Sequence, residues 1–184
     1  MAPDIVMRLL PFTAGFVLVA VVWRPSWLGL SLGDLAWQLA FGVIGAPALF
    51  VAAMLVQRWL ARRRGALSVP AAADDAWFQA GFYVVNGPVE EAFFRGLIQG
   101  GLGALIHPVV GFAVGTAAYV FYHRLGRWAW ADTLATALVG VPLGLAFWLL
   151  PGAPSLLGVS IAHIGATCGF LGPGPYLLRK LHLV

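Results

Sequence analysis

Charge is what this chain has least of. Only 10% of its 184 residues are Asp, Glu, Lys or Arg, 61% are apolar and the mean hydropathy is +0.89. That composition excludes a water-solvated globular domain and makes lipid the solvent of one compact unit. Cysteine is reduced to Cys168, so an internal disulfide is excluded and no redox compartment follows. That residue reads as a small packing side chain. No internal repeat or low-complexity tract stands out. The first apolar stretch carries Arg8 and lacks a small-residue cleavage site after it, so it reads as a retained helix and not as a cleaved signal peptide.

What is abundant is long apolar sequence. Six stretches, at approximately 5–23, 35–57, 76–106, 108–127, 131–150 and 154–172, approach the length needed to cross a hydrocarbon core of ~30 Å. The formal charge of +4 is distributed by position. Arg58, Arg62, Arg63 and Arg64 lie between the second and third stretches, Arg124 and Arg127 between the fourth and fifth, Arg179 and Lys180 after the sixth, and Arg8 near the start. Six spans with both termini in the cytoplasm put these nine of the eleven Lys/Arg on one side, the positive-inside pattern. Trp23, Trp27, Trp59, Trp77, Trp128, Trp130 and Trp148 fall near span ends, where indoles favour the interface. The basic loops therefore read as topology signals with lipid-headgroup contact as a by-product, which excludes nucleic acid as the partner. The Ala-, Gly-, Leu- and Arg-rich composition fits a GC-rich bacterial gene and hence an inner-membrane, multi-pass location.

The expected architecture is all-α, a polytopic bundle of about six transmembrane helices with a broken third segment. The third stretch is too long for one straight span. Asn86-Gly87-Pro88 predicts a break near residue 87, with Pro88 in a first turn and Asn86 as its cap. A straight helix from residue 76 would bury Glu90 about 21 Å deep at 1.5 Å per residue. The break instead brings Glu90, His123 and His163 to similar depth. Residues 61–73, basic and punctuated by Pro and Gly, predict a linker between an N-terminal hairpin (1–73) and a catalytic membrane domain (74–184). The first two spans carry no functional polar group on this reading.

Glu90-Glu91-Ala92-Phe93-Phe94-Arg95 puts two carboxylates and an arginine inside a span. Such groups cost about 2.5–3.5 kcal/mol each on lenient insertion scales and mark functional sites. Glu91 and Arg95 are four apart and can pair, leaving Glu90 turned ~100° away. Tyr119 with His123, and His163 with Thr167, repeat the four-residue spacing, so three helices each offer a polar stripe to a common cavity. A glutamate beside two imidazoles suits hydrolysis: the carboxylate takes a proton from water and imidazoles hold water or donate to an oxyanion. Taken singly, Glu91–Arg95 reads as a structural ion pair and His123 as an interfacial residue, whereas His163 sits in a wholly apolar run. His107 and His182 read as plain loop residues.

In this order the residues resemble the CPBP family, the membrane-embedded CAAX-type proteases and bacteriocin-processing or immunity proteins, over roughly 80–175. Glu90, Glu91 and Arg95 match its Glu-Glu-x-x-x-Arg motif; Tyr119 through His123 matches Phe-x-x-x-His with an aromatic exchange; His163 through Thr167 matches His-x-x-x-Asn except at its last residue. The resemblance implies a helical bundle around a conical cavity open to the cytosol. Within it Glu90 would be the base, with His123 helping to activate water. His163 and Thr167 would be the oxyanion donors, with Glu91 and Arg95 bracing the first motif. It implies an intramembrane endopeptidase acting on a membrane-associated peptide or protein. Thr167 offers one donor where the family has an amide. Glu plus two His is also a zinc set, but the His-Glu-x-x-His pattern is absent, so a metal-free, cofactor-free water is preferred. The rival readings are a non-catalytic immunity or scaffold protein and a proton-coupled transporter, the latter without an inverted hydropathy repeat.

Overall fold

The computed structural model describes residues 5–65 and 69–183. The described residues form helices joined by short turns, with one isolated antiparallel bridge between Leu30 and Ser155. Helix α1 (Ile5–Val22) is wound as a π-helix over Ile5–Leu9 and is apolar and largely exposed. Helix α2 (Leu35–Arg64) starts at Asp34, whose Oδ1 accepts from the Ala36 and Trp37 amides at 3.1 and 3.3 Å. It ends at Gly65, which adopts the left-handed conformation (φ 69°) that favours glycine. Residues 61–64 of the expected linker therefore belong to α2, and 66–68 lie outside the described residues.

Helix α3 (Ala73–Glu91) begins with Asp74 and Asp75 in its first turn, where the helix dipole favours negative charge. It does not break at Asn86-Gly87-Pro88: Pro88 lies inside the helix, and Asn86 is no cap. The missing proline N–H is tolerable where neighbouring helices rather than water surround the backbone. The irregularity comes four residues later, where the chain winds into a π-helix over Ala92–Gly100 before α4 (Gly101–Leu105). At the junction the Ala92 amide bonds the carbonyls of both Pro88 and Val89. This wide segment buries Phe94, Arg95, Gly96 and Gln99.

Helix α5 (Pro108–Tyr122) is capped by His107, whose Nδ1 accepts from the Val109 amide at 3.2 Å, and passes into a 3₁₀ turn, His123–Gly126. Helices α6 (Trp130–Ala135) and α7 (Ala137–Leu149) form one rod offset at Thr136, where the side chain bonds the Thr133 carbonyl at 2.6 Å. Helix α8 (Leu157–Phe170) and the short α9 (Pro173–Lys180) complete the chain. Ile5–Val22, Leu35–Arg64 and Trp130–Leu149 are each long and apolar enough to cross a membrane; α8 is apolar but shorter.

The expected N-terminal hairpin is splayed. Helix α1 lies on the π segment, whereas α2 runs the length of α8. Close approach sets the second seam: a Cβ on Gly165 would come within 2.1 Å of the Ala46 carbonyl oxygen, and one on Gly169 within 2.1 Å of that of Phe50. Small residues at four-residue spacing let membrane helices meet backbone to backbone. Two apolar clusters complete the interior: Leu143, Phe147, Val159 and Ala162 between α7 and α8, and Phe94, Tyr119 and Val120 between the π segment and α5.

Candidate active site

The buried carboxylates, imidazoles and phenols meet at the wall of one cavity of about 850 Å³. Glu90 comes from the last turn of α3, Tyr119 and Tyr122 from α5, His123 from the 3₁₀ turn, and His163 and Thr167 from α8; all six line it. Glu91 and Arg95 stand just behind that wall, fully buried. Because α3 is continuous, depth alignment comes from packing of α3 against α8 and of the following π segment against α5, and not from a break at residue 87.

Glu91 and Arg95 form the expected pair, Arg95 Nε donating to Glu91 Oε2 at 3.3 Å. Glu91 does more than brace its helix. Its Oε1 accepts from His163 Nδ1 at 2.7 Å, across 72 residues of sequence. A carboxylate cannot donate in its ionised form, so Nδ1 carries the proton and the ring is held in one orientation. His163 Nε2 then faces two groups, Glu90 Oε2 at 3.6 Å and the Tyr119 hydroxyl at 3.4 Å. Arg95 continues the buried network, donating to Thr116 Oγ1 at 3.3 Å and to the Gly140 carbonyl at 3.0 Å, with its guanidinium 5.1 Å from the Tyr119 ring centroid.

His123 is bound by the backbone of its own helix: Nδ1 lies 2.8 Å from the Tyr119 carbonyl oxygen and 3.3 Å from that of Val120. A carbonyl only accepts, so the Nδ1 proton is committed there and Nε2 is left as an acceptor. The expected Tyr119–His123 pair is thus a side chain on a carbonyl and not on the phenol. Aromatic rings hold the imidazole on two sides, Tyr122 at 4.2 Å and Trp128 at 4.7 Å between centroids.

Three participants escaped the sequence reading. Arg8, counted there as a topology signal, reaches from α1 into the cavity, donating from Nη1 to Glu90 Oε1 at 2.5 Å and to the Tyr122 hydroxyl at 2.7 Å. Its Nη2 donates to Asn86 Oδ1 at 2.9 Å. Asn86 in turn donates from Nδ2 to Glu90 Oε1 at 2.8 Å. The Asn86–Glu90 spacing of four was visible in the sequence; the reach of Arg8 and Tyr122 was not. Deep polar contacts therefore do not begin after the linker, and the first span brings a charged side chain to the cavity.

Among the described residues, no three His, Cys, Asp or Glu side chains gather as a metal-holding group. The arrangement can place a water between a carboxylate oxygen, an acceptor nitrogen and a hydroxyl-bearing wall. No curated protein and no solved structure matches the chain. The family model for type II CAAX prenyl endopeptidases, Rce1-like, matches residues 72–168.

Proposed function

The chain belongs to the type II CAAX prenyl endopeptidase family, Rce1-like, and from that premise we propose that it is an intramembrane glutamic endopeptidase whose base is Glu90. One observation carries the reading: Glu90 Oε2 and His163 Nε2 stand 3.6 Å apart on the wall of the cavity that His123 and Thr167 also line. Glu90 Oε2 takes a proton from water, and the water oxygen adds to the carbonyl carbon of a peptide bond. His123, with its Nδ1 proton committed to backbone carbonyls, accepts from that water through Nε2. The oxyanion that forms accepts from the Thr167 hydroxyl and from Nε2–H of His163 in its imidazolium form, which Glu91 stabilises from the other side. Glu90 returns its proton to the departing nitrogen, the C–N bond breaks, and a carboxylic acid and an amine leave.

The substrate in this reading is a membrane-embedded peptide or protein, cut near the cytoplasmic face. Contacts between basic segments support that side. Arg58 donates to the Leu183 carbonyl at 3.1 Å, Arg64 to Asp132 at 2.5 Å and Arg179 to the Ala71 carbonyl at 3.0 Å. These bring the second, fourth and C-terminal basic clusters to one end of the bundle, as six spans with both termini in the cytoplasm of an inner membrane require. The site also works without a metal in this reading.

The test compares termini in membrane proteomes from strains carrying the wild-type chain, Glu90→Ala or His163→Ala. A set of termini should vanish in both variants although each protein is inserted in normal amount. Cleavage in wild-type membranes should survive a strong divalent-metal chelator. Termini retained in Glu90→Ala would leave a scaffold and no protease of this kind, and chelator-sensitive cleavage would replace the glutamate-only water by a metal-bound one.

A further inference from the structure

We propose that Arg8 is a positioning residue of the catalytic centre, pinning Glu90 by Oε1 so that Oε2 alone meets water; the proposal rests on Glu90 being the base. Glu90 Oε1 receives two donors, Arg8 Nη1 at 2.5 Å and Asn86 Nδ2 at 2.8 Å, whereas Oε2 is turned toward His163. Arg8 also fixes the second donor, because its Nη2 bonds Asn86 Oδ1 at 2.9 Å and so decides which end of that amide faces Glu90. Arg8, Asn86 and Glu90 thereby close a ring of three hydrogen bonds, and the Tyr122 hydroxyl at 2.7 Å ties that ring to α5. Only a planar fork spans three acceptors in this way; an ammonium is a compact point donor.

Of the other polar groups around Glu90, the Tyr122 hydroxyl also bonds the carboxylate and is itself held by Arg8; the rest leave this role unfilled. His163, on α8, approaches Oε2 and not Oε1. His123, after α5, spends Nδ1 on backbone carbonyls. Glu91 and Arg95 are bound to each other and to His163, and the Tyr119 hydroxyl faces His163. Arg8 is 22% exposed and Glu90 2%, and both line the cavity. Residue 8 lies outside the stretch 72–168 that carries the family match, so the site of this chain is completed by an element that precedes it.

The experiment uses the full chain in isolated membranes and reads the Glu90-dependent termini defined by comparison with Glu90→Ala. Arg8→Met should lower their rate of appearance by about 10²-fold, the scale of a misplaced catalytic group. Arg8→Lys should restore part of the loss. Arg8→Ala should be rescued by added methylguanidine, which the cavity admits and which no packing defect would answer to. Arg8→Met at the wild-type rate overturns the proposal. So does a drop in all three Arg8 variants that methylguanidine does not relieve, which would make Arg8 a structural tether. The absence of any Glu90-dependent terminus would sink the base itself, and the positioning role with it.

Discussion

At Glu91, one carboxylate with no exposure serves two partners on different helices, Arg95 at 3.3 Å and His163 at 2.7 Å. Removing one member of a buried pair leaves the other uncompensated, at a cost of about 3–5 kcal/mol. Glu91→Gln should therefore lower both the melting temperature of the purified protein in detergent and its activity. Glu90→Gln should abolish activity with the smaller thermal effect, since its partner Arg8 can turn to the cavity. Parallel melting and cleavage measurements on the two variants check this. Thr167 lines the cavity one turn from His163. If its hydroxyl contributes to the oxyanion, Thr167→Val slows turnover by about 10-fold or more, against ~10²–10³ for a full contact. Thr167→Asn should equal or exceed the wild-type rate; unchanged turnover in Thr167→Val would leave the oxyanion to His163. The residue types and their helical spacing were legible in the sequence, as the Glu91–Arg95 pair illustrates. The second bond of Glu91 was not, because nothing local marks a contact 72 residues away. Asn86 was seen but given the wrong work, as a cap, because a water-based rule placed a helix start beside Pro88.

Among the elements, the α2–α8 seam is the most sensitive to size. Gly165 and Gly169 meet backbone oxygens of Ala46 and Phe50, which cannot move aside as a flexible side chain would. Overpacking costs about 1–3 kcal/mol in well-filled cores. Gly165→Val should thus separate the helices, reducing folded yield and melting temperature. Gly81→Val, at a glycine of α3 with open space around it, should reduce neither. Size-exclusion yield and a thermal shift assay compare the two. The six apolar stretches foretold where helices lie, because hydropathy counts residues and that is all a span requires. The π segment over Ala92–Gly100 was invisible for the same reason: hydropathy records which residues are apolar, and a change from i→i+4 to i→i+5 bonding leaves that tally untouched. Its effect is local and chemical, since it is the segment that buries Arg95 behind Glu91.

For the whole molecule, the proposed orientation predicts that reporters fused after Arg64, Trp128 and Val184 all read as cytoplasmic. One clear signal from the opposite side would overturn six spans with both ends in. Charge distribution carried that reading without coordinates; the contacts joining Arg58 to Leu183 and Arg64 to Asp132 place those segments side by side and leave the side of the membrane to the reporters. The division at residue 73 was read from composition alone, and composition cannot see that α1 reaches into the cavity. Arg8 also sets a clock on biogenesis. Its partner Glu90 is made 82 residues later, which at ~5–20 residues per second is a wait of about 4–16 s. During that interval a newly made first helix holds an arginine in or beside lipid without the Glu90 carboxylate that it meets in the folded chain. Nascent chains arrested after α2 should therefore integrate α1 poorly, and Arg8→Leu should integrate it well at the same length. Chains extended past Tyr122 should erase the difference. The charge that binds Glu90 in the finished fold is, for those seconds, a reason for the first helix to stay with the translocon until the third and fifth arrive.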